Sequence, residues 1–310
     1  MRITVLCGGV GAAKFLYGLQ HAVENIKDIN AIINVSDDFI WHGFHISPDI
    51  DTLIYTLAEI EGPLGWGVEN DSFSILNKIN SVTNNEWFQI GDADLVTHIL
   101  RNEALQDGKT LSEATQLLAQ NNNIRIKLFP VTNDPHPTLI ITDSAKLEFQ
   151  EYFVQRKTEA NVKDIQFPGA KFSSPAPGVL DAISKADFII FAPSNPFVSI
   201  DPILAVPQIR EHIMASSAQK IAISPIVGGQ AIKGPAAKMM KSMGHAVSPL
   251  GVAKIYQKLI DTFIFDIQDS HLTKEINKLN IKTMTMDTIM DNRLKRISFA
   301  KEFITKINEK

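Results

Sequence analysis

The sequence contains almost no cysteine and no long apolar run. Cys7 is the single cysteine among 310 residues, so an internal disulfide framework and a cysteine-rich zinc site are both excluded. No apolar run reaches the roughly 18 uninterrupted residues that a membrane-spanning helix requires, and the N-terminal segment lacks the layout of a signal peptide. A formal net charge of −4 gives no reason to expect nucleic acid or an anionic membrane as a partner. These features predict a soluble, cytoplasmic protein.

Apolar runs rich in β-branched residues alternate with helical patterns along the chain. The clearest runs are Ile3–Cys7, Ala31–Val35, Asp187–Ala192 and Lys220–Ser224, and each is followed by a loop of small or polar residues. Continuous apolar runs of this length are typical of parallel strands that are buried on both faces. The alternation predicts an α/β fold with a Rossmann-like, mostly parallel sheet that helices cover on both faces.

The length and the patterning indicate a single domain that spans residues 1–310. Amphipathic segments at about 50–120 predict a helical insertion in the Rossmann-like core. Two alternating runs on either side of Asp143 predict a short antiparallel hairpin. The polar segment Gln155–Lys163 that follows is expected to be a surface loop.

A glycine turn joins the first predicted strand to the first predicted helix. Gly8, Gly9 and Gly11 stand between them, and Lys14 follows in the helix. Glycine lets the backbone approach a ligand closely, and the free amides at the start of a helix favour an anion. The spacing GGVGAAK matches neither GxGxxG nor the phosphate loop GxxxxGK(S/T). Contact with a phosphate or nucleotide and a purely structural turn are therefore both open.

Four aspartates cluster in the segment after the second predicted strand. Asp37, Asp38, Asp49 and Asp51 fall within NVSDDFIWHGFHISPDID. In open α/β sheets ligands bind beyond the carboxyl ends of the strands, so this segment and the glycine turn are expected at one edge of the sheet. Carboxylates there suit a hard divalent cation or the orientation of a hydroxyl group. The alternative is a solvated loop whose aspartates cap the following helix.

Other candidate residues each have a functional and a structural interpretation. Trp66 lies between two glycines and either stacks on a flat ring or packs as a lid. His98 follows Asp94 by four residues on one helical face, which suits acid–base chemistry or a plain hydrogen bond. Ser194 and Asn195 lie between two prolines after a buried strand. They either contact a phosphate or base edge or cap the next helix, and both roles are compatible.

Six segments together resemble the 2-phospho-L-lactate transferase family. They are GGVGAAKFLYGL, NVSDDFIWHGFHISPDIDTLIYTL, GWGVEND, WFQIGDADLVTHILR, APSNPFVSIDPILAVP and SPIVGGQAIKGPAAKM. They follow the family's order from Arg2 to about Asp266. SPDID, GDADLVTH and APSNP in succession are far more specific than a glycine turn alone, so the resemblance extends over most of the chain.

The resemblance implies a step in the synthesis of the deazaflavin coenzyme F-420. Enzymes of this family transfer a phosphoester unit from a guanosine diphosphate-linked donor to the terminal ribityl hydroxyl of the deazaflavin Fo, and they release GMP. The donor carries lactate in archaeal relatives and enolpyruvate or glycerate units in some bacterial ones. The resemblance also implies a requirement for Mg²⁺, a Rossmann-like core with added helices, and a homodimer.

The resemblance assigns roles to the candidate residues. Asp49 and Asp51 match the acidic motif SPDID and are expected to be the catalytic carboxylates, with Asp51 contacting Fo or the metal beside it. Gln89 stands where archaeal relatives are expected to have a lysine, so glutamine would keep a hydrogen bond to Fo without the charge. The expected sets are metal ligands Asp37, Asp38, Asp49 and Asp51; Fo-binding residues Asp51, Trp66, Gln89 and Asp92; and nucleotide-binding residues Gly8, Gly9, Gly11, Lys14, Ser194 and Asn195.

Two other classes of protein share parts of this pattern. The YvcK-like proteins resemble the chain in the glycine turn and the acidic segment, and they bind sugar nucleotides in regulation rather than in established catalysis. Their acidic segment runs on to a PPGDxRN-like motif, whereas this chain has SPDIDTLIY and then GDADLVTH, which favours the transferase. A nicotinamide-dependent oxidoreductase would need the GxGxxG turn, which the chain lacks.

Overall fold

The computed structural model describes residues 1–24, 28–83 and 87–309 and has a parallel sheet at its centre. The strands are β1 (Ile3–Cys7), β2 (Ile29–Ile33), β3 (Phe39–Trp41), β4 (Phe44–Ile46), β5 (Lys127–Pro130), β6 (Leu139–Thr142), β7 (Lys146–Glu148), β8 (Val162–Gln166), β9 (Phe188–Phe191), β10 (Gln219–Ile223), β11 (Ile226–Val227), β12 (Gln230–Ala231), β13 (Thr262–Asp266) and β14 (Lys282–Met286). The central sheet has seven strands in the order β14-β13-β10-β9-β1-β2-β5, and all its neighbouring pairs are parallel.

The chain changes its direction of travel across the sheet between β1 and β9. It first builds β1, β2 and β5 toward one edge, and it then builds β9, β10, β13 and β14 toward the other. Val5 of β1 pairs with Ala31 on one side and with Ile190 on the other. All five residues of β1 are buried, as expected for a parallel strand with helices on both faces. The predicted α/β fold is confirmed, and its switch point is the usual ligand site of such sheets.

Helices cover the sheet and pack on one another. They are α1 (Gly9–Ala22), α2 (Pro48–Leu57), α3 (Ser74–Thr83), α4 (Asp94–Gln106), α5 (Leu111–Asn121), α6 (Val179–Ser184), α7 (Asp201–Ala205), α8 (Ile209–Ala215), α9 (Ala236–Ser242), α10 (Pro249–Tyr256), α11 (Thr273–Asn277) and α12 (Arg293–Asn308). Phe15 of α1 packs edge-on against Phe303 of α12, with ring centroids 5.2 Å apart. This contact anchors the helix that begins at the glycine turn. No described helix is long and apolar enough to cross a membrane.

The segment between β2 and β5 contains a hairpin as well as the helices α2 to α5. The strands β3 and β4 precede the helical insertion predicted at about 50–120 and lie in the acidic segment, which the sequence pattern indicates to be a loop. His42 and Gly43 both have positive φ, at 47° and 82°, which suits a tight two-residue hairpin turn. Trp41 and Ile46 of the hairpin pack with Ile90 in a small hydrophobic cluster of their own.

The predicted hairpin about Asp143 is present as β6 and β7, and β8 extends it to a three-stranded antiparallel sheet. The expectation of a surface loop over Gln155–Lys163 is therefore wrong at its end. Val162 is buried and pairs with Thr142 of β6, so a short polar-looking run supplies an edge strand. One buried valine among exposed polar residues is too weak a pattern to predict a strand.

Candidate functional site

A cavity of about 540 Å³ opens at the carboxyl ends of β1, β2 and β9, at the switch point of the sheet. The candidate residues that line it are Gly8, Gly9, Gly11, Lys14, Asp37, Asp49, Asp51, Trp66, Gln89, Ser194 and Asn195. Within the described part of the chain, Asp38 and Asp92 are the candidates that do not line it. The glycine turn and most of the acidic segment therefore share one cavity, as the strand-end reasoning predicts.

The glycine turn is shaped by contact with the loop after β9. A Cβ atom on Gly11 would lie 2.1 Å from the Pro193 carbonyl oxygen, and one on Gly8 would lie 2.4 Å from the Ser199 Cβ. The Ser194 hydroxyl donates a hydrogen bond of 2.8 Å to the Gly8 carbonyl. Close packing alone thus explains two of the glycines. The turn still begins α1 at the cavity wall, where helix amides favour an anion.

Lys14 lies one turn into α1 and also lines the cavity. Burial lowers the pKa of its ammonium, and the positive charges of Arg296 and Lys233 lower this pKa further. Lys233 reaches the same wall, where its Nζ lies 5.1 Å from the ring centroid of half-exposed Trp66. This end of the cavity is electropositive and suits a phosphate or a carboxylate.

Asp37 and Asp49 form the acidic part of the cavity. The amide of Asn34 donates a hydrogen bond of 2.9 Å to Asp49 Oδ2, and Asp37 Oδ1 is buried without a partner among the described residues. Burial raises the pKa of Asp49 to about 7, against the lowering effect of the Asn34 bond. Burial also raises the pKa of Asp37, and the nearby Asp49 charge raises it further. Neither carboxyl forms an ion pair with a cation in the part of the chain that the structure describes.

A divalent cation fits this carboxyl pair. Mg²⁺ is usually held by one or two carboxylates together with water and substrate phosphates, rather than by a complete protein cage. Among the described residues, no group of three or more histidine, cysteine, aspartate or glutamate side chains is arranged to hold a metal ion. Asp37 and Asp49 supply the two carboxylates, and the unpartnered Asp37 oxygen is the atom that a cation would satisfy.

Asp38 has other partners outside the cavity. Its Oδ2 lies 2.9 Å from His45 Nε2 and accepts a hydrogen bond of 2.7 Å from the Ser47 hydroxyl. Ser47 immediately precedes α2, so Asp38 ties the end of the β3–β4 hairpin to the start of that helix. Asp38 Oδ1 is buried without a hydrogen-bond partner among the described residues, as Asp37 Oδ1 is, but Asp38 does not line the cavity.

Asp51 meets a buried arginine that the sequence reasoning did not single out. Arg101 of α4 is fully buried and donates to both carboxylate oxygens of Asp51, with Nη1 at 3.2 Å from Oδ2 and Nη2 on Oδ1. Burial alone would lower the pKa of Arg101, but the Asp51 carboxylate outweighs this effect and raises it. Asp49 and Asp51 lie only two positions apart and differ in their partners: Asp51 forms an ion pair with Arg101, whereas the described residues provide no ion pair for Asp49.

His98 and Asp94 continue from this ion pair along the cavity wall. His98 Nδ1 lies 3.3 Å from Arg101 Nη1, and His98 Nε2 lies 3.3 Å from Asp94 Oδ1. The Tyr55 hydroxyl donates a hydrogen bond of 2.5 Å to the same Asp94 oxygen. Asp94, His98 and Arg101 have spacings of four and three residues and so occupy one face of α4. That spacing is the signal in the sequence that points to Arg101.

Asp92 has a structural role near the cavity rather than in it. Its carboxylate accepts hydrogen bonds from the Ser72 hydroxyl and from the backbone amides of Ser74 and Ile75, at the start of α3. These bonds lower the pKa of Asp92. All of its observed partners belong to the 72–75 segment, so the expected contact with Fo has no support in its position.

Aromatic side chains also line the cavity. Trp66, Trp87 and Phe88 do so together with Gln89. Phe149 and Phe153 line it as well, stacked with their ring planes 9° apart and centroids 5.5 Å apart. Flat apolar faces of this kind suit planar heterocycles. The cavity therefore combines charged groups with surfaces that suit a ligand with a planar ring.

Comparison with known proteins gives relatives along nearly the whole chain. The model of the family "2-phospho-L-lactate transferase CofD" matches residues 3–302. A phosphoenolpyruvate transferase from Kitasatospora aureofaciens is 38% identical, over 94% of this chain and 92% of its own length. A 2-phospho-L-lactate transferase from Methanothermobacter thermautotrophicus is 35% identical, over 98% of both chains.

Solved structures show the same fold at greater distance. A Bacillus halodurans protein of known structure superposes with a TM-score of 0.62 over 98% of this chain and 99% of its own, at 19% sequence identity. Similarity at this level of identity establishes the shared fold alone. The family assignment rests on the sequence relatives, and it confirms the resemblance carried by the six segments.

Proposed function

The chain belongs to the 2-phospho-L-lactate transferase CofD family and is a transferase, and we propose that it acts on the deazaflavin Fo. In the proposed reaction the terminal ribityl hydroxyl of Fo attacks the phosphorus that bears the three-carbon acid of a guanosine diphosphate-linked donor. A phosphorus–oxygen bond to Fo forms, the bond to the GMP oxygen breaks, and the hydroxyl proton is released. The observation that carries the proposal is the cavity itself, which a helix start that favours an anion, a carboxyl pair and several aromatic side chains line together.

The donor is proposed to lie with its diphosphate at the glycine turn. The start of α1 offers backbone amides there, Lys14 adds positive charge, and Ser194 and Asn195 line the adjoining loop. The Asn195 side chain accepts a hydrogen bond from the Phe197 amide, so its role includes capping the following turn. Phosphoryl transfer depends mostly on positioning and on neutralising charge at the phosphate oxygens, and this end of the cavity provides both.

Mg²⁺ is part of the proposal, and Asp37 and Asp49 are the residues that would hold it. Bound there, the ion would neutralise charge on the donor's phosphate oxygens. The carboxyl pair is buried, hydrogen-bonded on one side by Asn34, and open to the cavity on the other. Asp51 is assigned away from the metal, since Arg101 already engages both of its oxygens.

Asp51 is proposed to bind the acceptor hydroxyl. An ionised carboxylate accepts a hydrogen bond from the attacking hydroxyl and orients its oxygen toward the phosphorus, within a reach of about 3 Å. Trp66 and Gln89, which both line the cavity, would then contact the deazaflavin ring by stacking and by a hydrogen bond. The named relatives act on different three-carbon acids, phosphoenolpyruvate and 2-phospho-L-lactate, so the donor is proposed at the level of that class.

The decisive experiment incubates the protein with Fo, Mg²⁺ and each guanosine diphosphate-linked donor in turn. Mass spectrometry should detect Fo extended by a phosphoester of one acid, together with an equal amount of GMP. A lack of product with every donor would contradict the proposal. Thermal stabilisation by UDP-sugars but not by GDP with Mg²⁺ would instead support the YvcK-like regulatory alternative.

A homodimer is proposed as well, and light scattering of the purified protein measures it.

A further inference from the structure

We propose that Arg101 is a positioning residue for the acceptor: from behind the cavity wall it holds the Asp51 carboxylate in the orientation that receives the hydroxyl. This inference rests on the proposed function. Arg101 does not line the cavity, whereas Asp51 does, so the arginine acts through the aspartate. Arg101 lies in α4, fifty residues after Asp51, so it contacts α2 from a different helix.

The geometry of the pair fixes the carboxylate plane. The planar guanidinium engages both Asp51 oxygens through two different nitrogens, a fork that a single point charge cannot reproduce. Arg101 Nη1 also donates to the His45 carbonyl at 3.1 Å, so the guanidinium itself is anchored to the end of the β3–β4 hairpin. The lone pairs of Asp51 that the fork does not use are the ones left for a ligand in the cavity.

His98 lies beside the same arginine. Arg101 Nη1 has two hydrogens and three acceptors near it, so its contact of 3.3 Å with His98 Nδ1 competes with the bonds to the Asp51 and His45 oxygens. His98 Nε2 lies 3.3 Å from Asp94 Oδ1. The separation of 3.7 Å between His98 Nδ1 and Asp51 Oδ2 is too long for a hydrogen bond. Both ring nitrogens of His98 therefore face protein groups, and His98 packs beside the ion pair without a hydrogen bond to Asp51.

A purely structural ion pair is the competing explanation, and the structure disfavours it. Buried ion pairs often stabilise a fold no better than apolar residues of similar volume. The buried Arg101 Nε has no hydrogen-bond partner among the described residues, but the same holds for Arg296, so this cost does not separate the two explanations. The difference is that both end nitrogens of Arg101 are directed at an aspartate that lines the cavity, which favours the orientation of Asp51.

The test is a double-mutant cycle on turnover with Arg101→Met, Asp51→Asn and the double variant. Misplacement of a reacting group by about 1 Å costs on the order of 100-fold in rate, so we expect that loss in kcat for Arg101→Met. The donor KM should change by less than about threefold, since donor binding does not involve this pair. In the Asp51→Asn background, Arg101→Met should cause no further loss. If the losses of kcat from the two single variants multiply in the double variant, the proposal is overturned and Arg101 has a structural role only.

Arg296 provides the matched control, because it is also a buried arginine in an ion pair, 2.8 Å from Glu61, and it is not a partner of Asp51. The loss of kcat caused by Arg296→Met should be the same in the wild-type and Asp51→Asn backgrounds, so the two losses should multiply. Arg101→Lys repeats the cycle if Arg101→Met does not fold; lysine keeps the charge but not the fork, so we expect less than about one tenth of wild-type kcat. Near wild-type turnover of Arg101→Lys would refute the need for the fork.

The failure of this inference is distinguishable from failure of the proposed function. Turnover of the donor by the wild-type protein is measured first. If the wild type shows no turnover, the proposed function fails, and the contact between Arg101 and Asp51 remains to be tested separately. Urea unfolding of the same four proteins then measures the Asp51–Arg101 coupling without any substrate. A coupling of zero would show that the contact is absent in solution and would overturn the inference by itself.

Discussion

Replacing Asp49 with asparagine should make the metal-free protein more stable at alkaline pH. Asp49 is buried, and burial raises its pKa from an ordinary value of 3.8 to about 7. The folded state therefore retains a proton that the unfolded state has released between these two pH values. The stability that this proton confers is present in full below pH 3.8 and is lost as the pH rises through 7. Asparagine has no such loss.

The size of the gain follows from the pKa difference. At about 1.4 kcal/mol per pKa unit, a rise from 3.8 to about 7 sets an upper bound of about 4 kcal/mol. Asp49 faces an open cavity in which water screens its charge, so we expect a gain of about 2 kcal/mol at pH 8. Asparagine keeps the shape of the side chain and an oxygen for the hydrogen bond from Asn34. Near pH 4 the two proteins should differ little.

Urea unfolding in EDTA at several pH values measures the difference in the free energy of unfolding between Asp49→Asn and wild type. Asp92→Asn is the matched control with the opposite sign: hydrogen bonds from Ser72 and the following amides lower the pKa of Asp92, so its carboxylate stabilises the fold above pH 3.8. Asp92→Asn should therefore lose stability at pH 8. The raised pKa of Asp49 is refuted as the cause if Asp49→Asn is no more stable than wild type at pH 8. It is also refuted if the variant changes the free energy of unfolding by the same amount at every pH.

Three further outcomes are expected. Mg²⁺ should raise the melting temperature of wild type at pH 8 more than that of Asp49→Asn, and scanning fluorimetry measures both. Asp51→Asn should lower kcat at least about 100-fold with an unchanged far-ultraviolet circular dichroism spectrum, because it removes the charge that receives the hydroxyl. Gly11→Ala should destabilise the protein by at least about 2 kcal/mol in urea, since its Cβ would lie 2.1 Å from the Pro193 carbonyl oxygen; unchanged stability contradicts the packing.

Most strands of the central sheet could be predicted because they contain three or more consecutive apolar residues. Ile3–Cys7 and Thr262–Asp266 are entirely buried, and a run with no charged residue at its centre allows few other placements. The β3–β4 hairpin and the β8 strand escaped prediction for the opposite reason. Each is an edge element of three to five residues with few buried side chains, and pairing partners outside the run determine it.

The cavity was predictable from the sequence to the extent that it depends on strand ends. Gly8, Asp49 and Asn195 are close together because β1, β2 and β9 are neighbours whose carboxyl ends share one edge. Asp92 shows the limit of that reasoning. It belongs to a specific motif, but its immediate neighbours in space, Ser72 and Ser74, come from a loop whose path the motif does not determine.

Asp49 and Asp51 are the same residue type, two positions apart, and their different environments decide their roles. Asp49 is buried beside Asp37, and the donors described for it, the Asn34 amide and the Gly9 backbone amide, are both neutral. The site therefore has an excess of negative charge that a cation would relieve. Asp51 is neutralised by Arg101, so a second cation there would gain less and a neutral hydroxyl can bind without competition. The division between metal and acceptor thus depends on a residue fifty positions downstream, which no property of the acidic segment itself reveals.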